Sequence, residues 1–231
     1  MVRTRTARRI KRRKRIMVRV VCLLIGYVFG LFQTSYFISK SRGFDIRDFG
    51  SGNAGTTNVF RTIGMKPGLM TFIGDSLKCL LAIYLVSLLF RRSHAEMLPL
   101  LKMYTAMGAV LGHDYPFYLD FRGGKGVAAS VGFLLAFDPI VAACSAVIFF
   151  SVFFLTHYVS LGSILMHLGM VAEVVILGLV GHFHMTHPHL VELDLLALAL
   201  AALCWWRHRS NISRLLQGTE RKTYLRKKNH P

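Results

Sequence analysis

The chain has 231 residues, 53% of them hydrophobic, with a mean hydropathy of +0.46 and a formal net charge of +18. Water-soluble domains seldom combine such hydropathy with such charge, so the apolar residues belong in membrane helices and the charges in loops and tails. The length suits one compact bundle rather than two domains.

Residues 1–17 form a basic tail, expected to be disordered or to lie on anionic lipid. Because much of the positive charge sits there, the overall charge does not point to nucleic acid, and no nucleic-acid partner is expected. Met17 opens a more ordinary membrane-protein start, MVRVVCLLIGYVFG, and is a second candidate initiation site. The membrane domain is placed at 18–220 and a second basic tail at 221–231. Seven apolar segments follow in order, at about 18–38, 68–90, 98–112, 127–137, 139–156, 159–180 and 190–206. The fold class is thus all-α, a polytopic seven-transmembrane-helix bundle surrounded by membrane lipids. Segments 98–112 and 127–137 fall short of the roughly 20 residues of a perpendicular span; they are tilted, extended into neighbouring loops or partly re-entrant. Asp138-Pro139 separates the fourth segment from the fifth, since proline disfavours helix at the residue before it. Cys22, Cys79, Cys144 and Cys204 each fall in a different segment without metal-ligand spacing, and are read as small buried hydrophobes.

With seven crossings, the loops after the first, third and fifth segments share one side with the C-terminal tail. These are the four polar stretches 49–61, 112–126, 157–163 and 206–219. The coincidence supports both the count and a single shared site. The basic C-terminal tail favours the cytoplasm for that side. The basic N-terminal tail argues the opposite, and a start at Met17 removes most of the conflict. The cytoplasmic assignment is preferred because phosphorylated metabolites are found there.

Residues 49–61, FGSGNAGTTNVFR, suit an oxyanion. Gly50, Gly52 and Gly55 allow tight turns with exposed N–H groups, Ser51, Asn53 and Asn58 add donors, and Arg61 adds a planar charged fork. The match to G-x-G-x-x-G is weak, since no strand precedes it. In GHDYPFYLDFRGGKG, the group Gly123, Gly124, Lys125 and Gly126 reads as a smaller phosphate nest with one cation at a helix N-terminus. It lacks the Ser/Thr of a nucleotide P-loop. His113 and Asp120 invite either acid–base chemistry or a purely structural reading. In HYVSLGS, Ser160, Gly162 and Ser163 fit a helix entry as well as a binding turn. In WRHRSNISRLLQGT, His208 and Asn211 share one helical face.

Asp75 and Lys78, three apart in the second segment, are expected to form an internal ion pair supporting the site. His182, His184, His187 and His189 face away from the motif side, and no metal and no cofactor are expected.

The stretches GSGNAGTTNVFR, GHDYPFYLDFRGGKGVA, YVSLGSI and WRHRSNISRLLQGTE closely resemble, in order and spacing, the signatures of the bacterial acyl-phosphate-dependent glycerol-3-phosphate acyltransferases, the PlsY family. Two departures, Thr56 for a usual alanine and Arg122 for a usual lysine, remove neither a charge nor a glycine. The resemblance implies transfer of a fatty acyl group from acyl phosphate to the 1-hydroxyl of glycerol 3-phosphate. Lysophosphatidic acid and inorganic phosphate would result, at the first step of phospholipid biosynthesis in the bacterial inner membrane. It implies a catalytic set of Ser51, Arg61, Lys125, His208 and Asn211. Of these, Arg61, Lys125, His208 and Asn211 would meet glycerol phosphate; Ser51, the neighbouring glycine N–H groups and Asn58 would position the acyl phosphate. The wider substrate-binding set is Gly50, Gly52, Asn53, Gly55, Asn58, His113, Gly123, Gly124, Gly126, Ser160, Gly162 and Ser163. Two alternatives stay open: Ser51 as a nucleophile, and, from another class, a transporter of an anionic metabolite. A transporter would place polar groups near the bilayer midplane, often within inverted repeats.

Overall fold

A computed structural model describes residues 2–224, with the side chains of Arg13 and of residues 15–224. The expected tail beyond residue 224 lies outside the described residues. The described residues form ten α-helices and three short 3₁₀ turns, with no strand. They are α1 (Val2–Gly30), α2 (Thr34–Lys40), α3 (Thr56–Thr62), α4 (Met65–Phe90), α5 (Leu98–Asp114), α6 (Val127–Phe137), α7 (Pro139–Thr156), α8 (Val159–Leu179), α9 (His187–Arg207) and α10 (Arg209–Leu216).

Two boundaries differ from the sequence expectation. The basic stretch expected to be disordered or to lie on anionic lipid is helical from Val2 onward, as the first turns of α1. The first apolar segment is broken at residues 31–33, a change that hydropathy does not register. The break is tolerated because a cation caps it: Lys78 Nζ on α4 donates to Gly30 O at 3.1 Å and Phe32 O at 2.6 Å. Cys144 is exposed on α7, whereas the other three cysteines are buried as expected.

Helix α5 runs through the centre. Leu100, Leu101, Met103, Ala106 and Ala109 are fully buried, in one cluster with Ile83, Phe133, Met170 and Leu193 from four surrounding helices. Its contact with α1 is fixed by small residues. Gly26 and Gly30 on α1 and Gly108 and Gly112 on α5 repeat at a spacing of four. A methyl group on any of them would collide with a backbone carbonyl of the other helix: Thr105, Ala109, Leu23 and Tyr27 respectively. This close approach is the small-residue packing by which helices associate in lipid. The outer surface is apolar in turn, with Val147, Phe150, Phe154, Leu155 and Leu179 all exposed.

Among the described residues, five helical stretches are long and apolar enough to cross a membrane: Arg15–Lys40, which contains the break at 31–33, Met65–Phe90, Pro139–Thr156, Val159–Leu179 and His187–Arg207. Helix α6 has 11 residues, about 16 Å of rise, against a hydrocarbon core of roughly 30 Å. Helix α5 has 17, so the full seven spans are not reached on length alone. The polar loops nonetheless gather at one end of the bundle. At the opposite end Lys102 Nζ donates to Ala136 O at 2.9 Å, and His182 Nε2 donates to Asp138 Oδ2 at 2.7 Å. Asp138 also caps α7, accepting from Ile140 N and Val141 N.

Replacing Gly30 or Gly108 by valine is expected to destabilise the bundle by about 1–3 kcal/mol through overpacking. Ala172→Val, at an exposed position of α8, is expected to stay within about 0.5 kcal/mol. Thermal unfolding in one detergent compares the three; equal melting temperatures would refute the close-contact account.

Candidate functional site

The first polar loop is held from within by one side chain. Asn58, on α3 and almost fully buried, accepts from Ser51 N at 2.9 Å and donates from Nδ2 to Phe49 O at 3.0 Å and Ile46 O at 3.2 Å. Its amide hydrogens are therefore directed at the loop rather than at a ligand. Ile46, Ala54 and Val59 form a small separate core beneath. Gly50 and Gly52 adopt φ of +62° and +69°, which makes the tight turn and leaves Ser51 exposed at its tip. Gly55 caps α3 from an extended backbone, and its N–H donates to Asn53 O at 2.9 Å. Arg61, at the last turn of α3, donates to Arg221 O at 3.0 Å and Thr223 Oγ1 at 2.7 Å. Burial lowers its pKa.

The second loop rests on α5. His113 is buried; its Nδ1 accepts from Lys78 Nζ at 2.8 Å, and its carbonyl accepts from Gln33 Nε2 at 2.7 Å and Gly124 N at 3.1 Å. A methyl group at Gly124 would strike the His113 Nε2 atom. The imidazole is thus packed beneath the glycine turn, away from exposed Asp120, whose φ is +55°. Lys78 also pairs with Asp75 at 3.2 Å, in the internal arrangement expected from their spacing. Gly126, at φ +72°, turns the chain into α6 and leaves Lys125 at that helix's N-terminal edge. Arg207 clasps the same turn from α9, donating from Nε to Gly124 O at 3.0 Å and from a terminal nitrogen to Gly123 O at 3.2 Å.

The loops converge on a chain of side chains. Lys125 Nζ donates to Asn211 Oδ1, and Asn211 Nδ2 donates to Glu220 Oε1 at 2.6 Å. The same Glu220 oxygen accepts from Ser160 Oγ at 2.9 Å, while Oε2 accepts from Arg214 Nε at 2.8 Å. Burial opposes the ionised form of Glu220, but the hydrogen bonds from Asn211, Arg214 and Ser160 prevail and hold its pKa below the usual value. Burial, reinforced by Arg214 and Arg207 and opposed by Glu220, lowers Lys125 to about 8. His208 is lowered to about 3, first by burial and then by Lys125. It is therefore neutral near pH 7. Its Nδ1–H donates to Cys204 O at 2.8 Å, which leaves Nε2 as a hydrogen-bond acceptor.

Asn211 and Ser160 are joined directly through Glu220 and Lys125 through Asn211, His208 lies beside Lys125, and Arg61 is tied to the segment that follows Glu220. Ser51 stands apart at its loop tip. Gly162 and Ser163 belong to packing: Gly162 lies against Phe149, and Ser163 Oγ donates to Val159 O one turn back. Glu220 and Arg207 were not among the expected site residues. In sequence Glu220 appears as a lone acid in a basic tail, and Arg207 as one cation of a membrane stop, so only the fold reveals their contacts.

Residues 20–218 match the family model described as glycerol-3-phosphate acyltransferase. A glycerol-3-phosphate acyltransferase of Clostridioides difficile (strain 630) is 41% identical over 205 residues, 88% of this chain and 94% of its own. One of Crocosphaera subtropica (strain ATCC 51142 / BH68) is 39% identical over 211 residues, 88% of this chain and 93% of its own. The fold is similar to crystal structures of PlsY (YgiH), an integral membrane glycerol 3-phosphate acyltransferase. The glycerol 3-phosphate form has a TM-score of 0.76 at 32% identity, covering 89% of this chain and 96% of that one. The lysophosphatidic acid form has a TM-score of 0.73 at 32% identity, covering 89% and 95%.

Glu220→Ala leaves Asn211, Ser160 and Arg214 without their shared acceptor in a buried place, with an expected cost of about 1–3 kcal/mol. Ser163→Ala removes one bond within a helical turn, with an expected cost below about 1 kcal/mol. A melting-temperature drop for Glu220→Ala no larger than that for Ser163→Ala would show that the Glu220 junction does not hold the loops.

Proposed function

The chain belongs to the glycerol-3-phosphate acyltransferase family, and we propose that it moves a fatty acyl group from acyl phosphate to the 1-hydroxyl of glycerol 3-phosphate. The observation that carries this reading is the Lys125–Asn211–Glu220 junction. It draws three loops into one cationic cluster at the end of a lipid-facing bundle. A long alkyl chain lies against apolar helices while phosphate groups stay among the loops. The motif end faces the cytoplasm of a bacterial inner membrane, in keeping with the basic residues that follow α9.

Each proposed role follows from the chemistry of the side chain. Lys125 and Arg61 meet the phosphate of glycerol 3-phosphate as charge-assisted donors. Burial and the neighbouring Lys125 favour the neutral form of His208. Its Nε2 lone pair suits a glycerol hydroxyl, which donates. Asn211 orients Lys125. Ser51 receives the acyl phosphate through its exposed hydroxyl, and Asn58, which already accepts from Ser51 N–H, acts through the loop that it holds. Lys125 stabilises the charge that develops on the carbonyl and leaving oxygens. The hydroxyl oxygen attacks the acyl carbonyl carbon, the C–O bond to phosphate breaks, and the departing phosphate takes the hydroxyl proton. Ester and inorganic phosphate result, with no covalent acyl-enzyme. His113, enclosed beneath Gly124, is not needed as a base.

Purified protein is given palmitoyl phosphate and glycerol 3-phosphate, with palmitoyl-CoA as the parallel donor and Lys125→Ala as control. Phosphate release that requires both substrates, with lysophosphatidic acid formed and the variant inactive, is expected. Turnover with palmitoyl-CoA alone would overturn the donor, and acyl-Ser51 trapped in rapid-quench digests would overturn direct transfer.

The lowered pKa of Lys125 sets a pH limit. Its ammonium is present below about 8 and is lost above it, so kcat/KM is expected to fall as pH rises through that value. Bound substrate phosphate favours the charged form, so the corresponding limb of kcat lies at higher pH. Lys125→Arg should remove the limb from any residual activity; an unchanged limb would assign it to another group.

A further inference from the structure

At the end of the bundle remote from the loops, a polar floor joins three helices. Arg19 on α1 forks onto Glu192 on α9, from Nε to Oε1 at 2.6 Å and from a terminal nitrogen to Oε2 at 2.6 Å. Tyr104 Oη on α5 donates to the same carboxylate at 2.6 Å. Above this floor opens a groove of about 520 Å³, walled by Ile16, Val20 and Leu23, with Arg15 among its lining residues. That volume lies within the roughly 300–1,000 Å³ typical of small-ligand sites.

The charge balance at the groove is uneven. Glu192 is its one acid and is already matched by Arg19, whereas Arg15 is exposed and makes no ion pair among the described residues. Helix α1 continues outward through Arg3, Arg5, Arg8, Arg9, Lys11, Arg12, Arg13 and Lys14, and no acidic residue precedes Asp45. Arg15 lies four residues, about 6 Å, beyond Arg19 along the helix. A cation at the outer end and aliphatic walls running inward match an amphiphile that has a negative head and an alkyl tail.

We propose that this groove binds a phospholipid with an anionic headgroup. The headgroup meets Arg15 at the membrane boundary, and an acyl chain lies along Ile16, Val20 and Leu23. The site is separate from the catalytic loops at the other end of α1. A second groove beside α1, about 310 Å³, is lined by Val21, Leu24, Ile25, Val28, Phe29 and Leu85. It has no polar group and so gives no basis for choosing a headgroup.

The test uses the full chain, delipidated and reconstituted in nanodiscs with equal phosphatidylglycerol and phosphatidylcholine of identical acyl chains. Native mass spectrometry counts the lipids retained on release. Phosphatidylglycerol is expected to be retained about fivefold or more over phosphatidylcholine, the ratio corresponding to about 1 kcal/mol for one basic residue at a membrane surface. Arg15→Glu should abolish that preference, and Val20→Trp, which fills the groove, should lower retention of both lipids. Both variants should elute monodisperse with unchanged phosphate release from palmitoyl phosphate and glycerol 3-phosphate. Equal retention of the two lipids by the unaltered chain overturns the proposal, as does a preference unmoved by both substitutions. So does a preference lost on deletion of residues 2–14 with Arg15 intact, which would assign it to the basic stretch alone.

Discussion

The site depends on what happens to backbone carbonyls where a helix is interrupted inside a membrane protein. Residues 31–33 break the run from α1 to α2, and Gly30 O and Phe32 O lose their helical partners there. In hydrocarbon each unsatisfied group costs several kcal/mol. Lys78 supplies the donors, and its charge is matched by Asp75 at 3.2 Å. Asp75 in turn accepts from Thr34 Oγ1 at 3.1 Å, on the first turn of α2. The same ammonium reaches His113, and His113 supports the turn that carries Lys125. An intramembrane ion pair therefore ties the broken helix to the phosphate-type loop. Removing either charge would leave the other buried without its match, which is far costlier than losing an exposed pair.

Beyond that pair the loops are held by side chains bonded to backbone. Asn58 closes the first loop, Arg207 clasps the second, and Arg47 joins them by donating to Leu119 O at 2.8 Å. These side chains fix short glycine turns whose own N–H groups largely bond within the loops, Gly52 to Phe49 O, Gly123 to Asp114 O and Gly124 to His113 O. A transporter would need comparable polar groups midway along the helices. Here the Lys125–Asn211–Glu220–Ser160 junction lies at one end, while the Asp75–Lys78 pair midway along α4 and the Arg19–Glu192 pair are each matched internally.

Much of this was legible in the sequence. Helices α6 and α7 fall on the expected segments because hydropathy and the Asp138-Pro139 break mark them clearly. The Asp75–Lys78 pair follows from a three-residue helical spacing. The break after Gly30 was not legible, because its cap comes from a lysine 48 residues away. The spacing of Gly26, Gly30, Gly108 and Gly112 is visible in the chain, but which helix meets which is a tertiary fact. At the site, the residue types of the four motifs were legible, and their division of labour was not. Asn58, His113 and Ser163 are the same polar types as Asn211, His208 and Ser160. Asn58 and Ser163 spend their side-chain bonds within their own loop or helix, and His113 is held by Lys78 beneath Gly124. By contrast, Asn211 and Ser160 meet at Glu220, and His208 keeps Nε2 as an acceptor.

Glu220 shows why the cationic cluster can exist before a substrate arrives. Lys125, Arg61, Arg207 and Arg214 approach one region, and like charges in a partly buried place repel. Glu220 offsets part of that repulsion directly at Arg214 and, through the polar amide of Asn211, near Lys125. Glu220, and Asp114 at 3.8 Å from Arg207, are outnumbered by the four cations, and burial first, then Arg214 and Arg207, lowers the pKa of Lys125. A bound phosphate dianion would relieve the remainder, so anion binding and full protonation of Lys125 are coupled. Glu220 keeps the loops together while leaving much of their positive charge to the ligand.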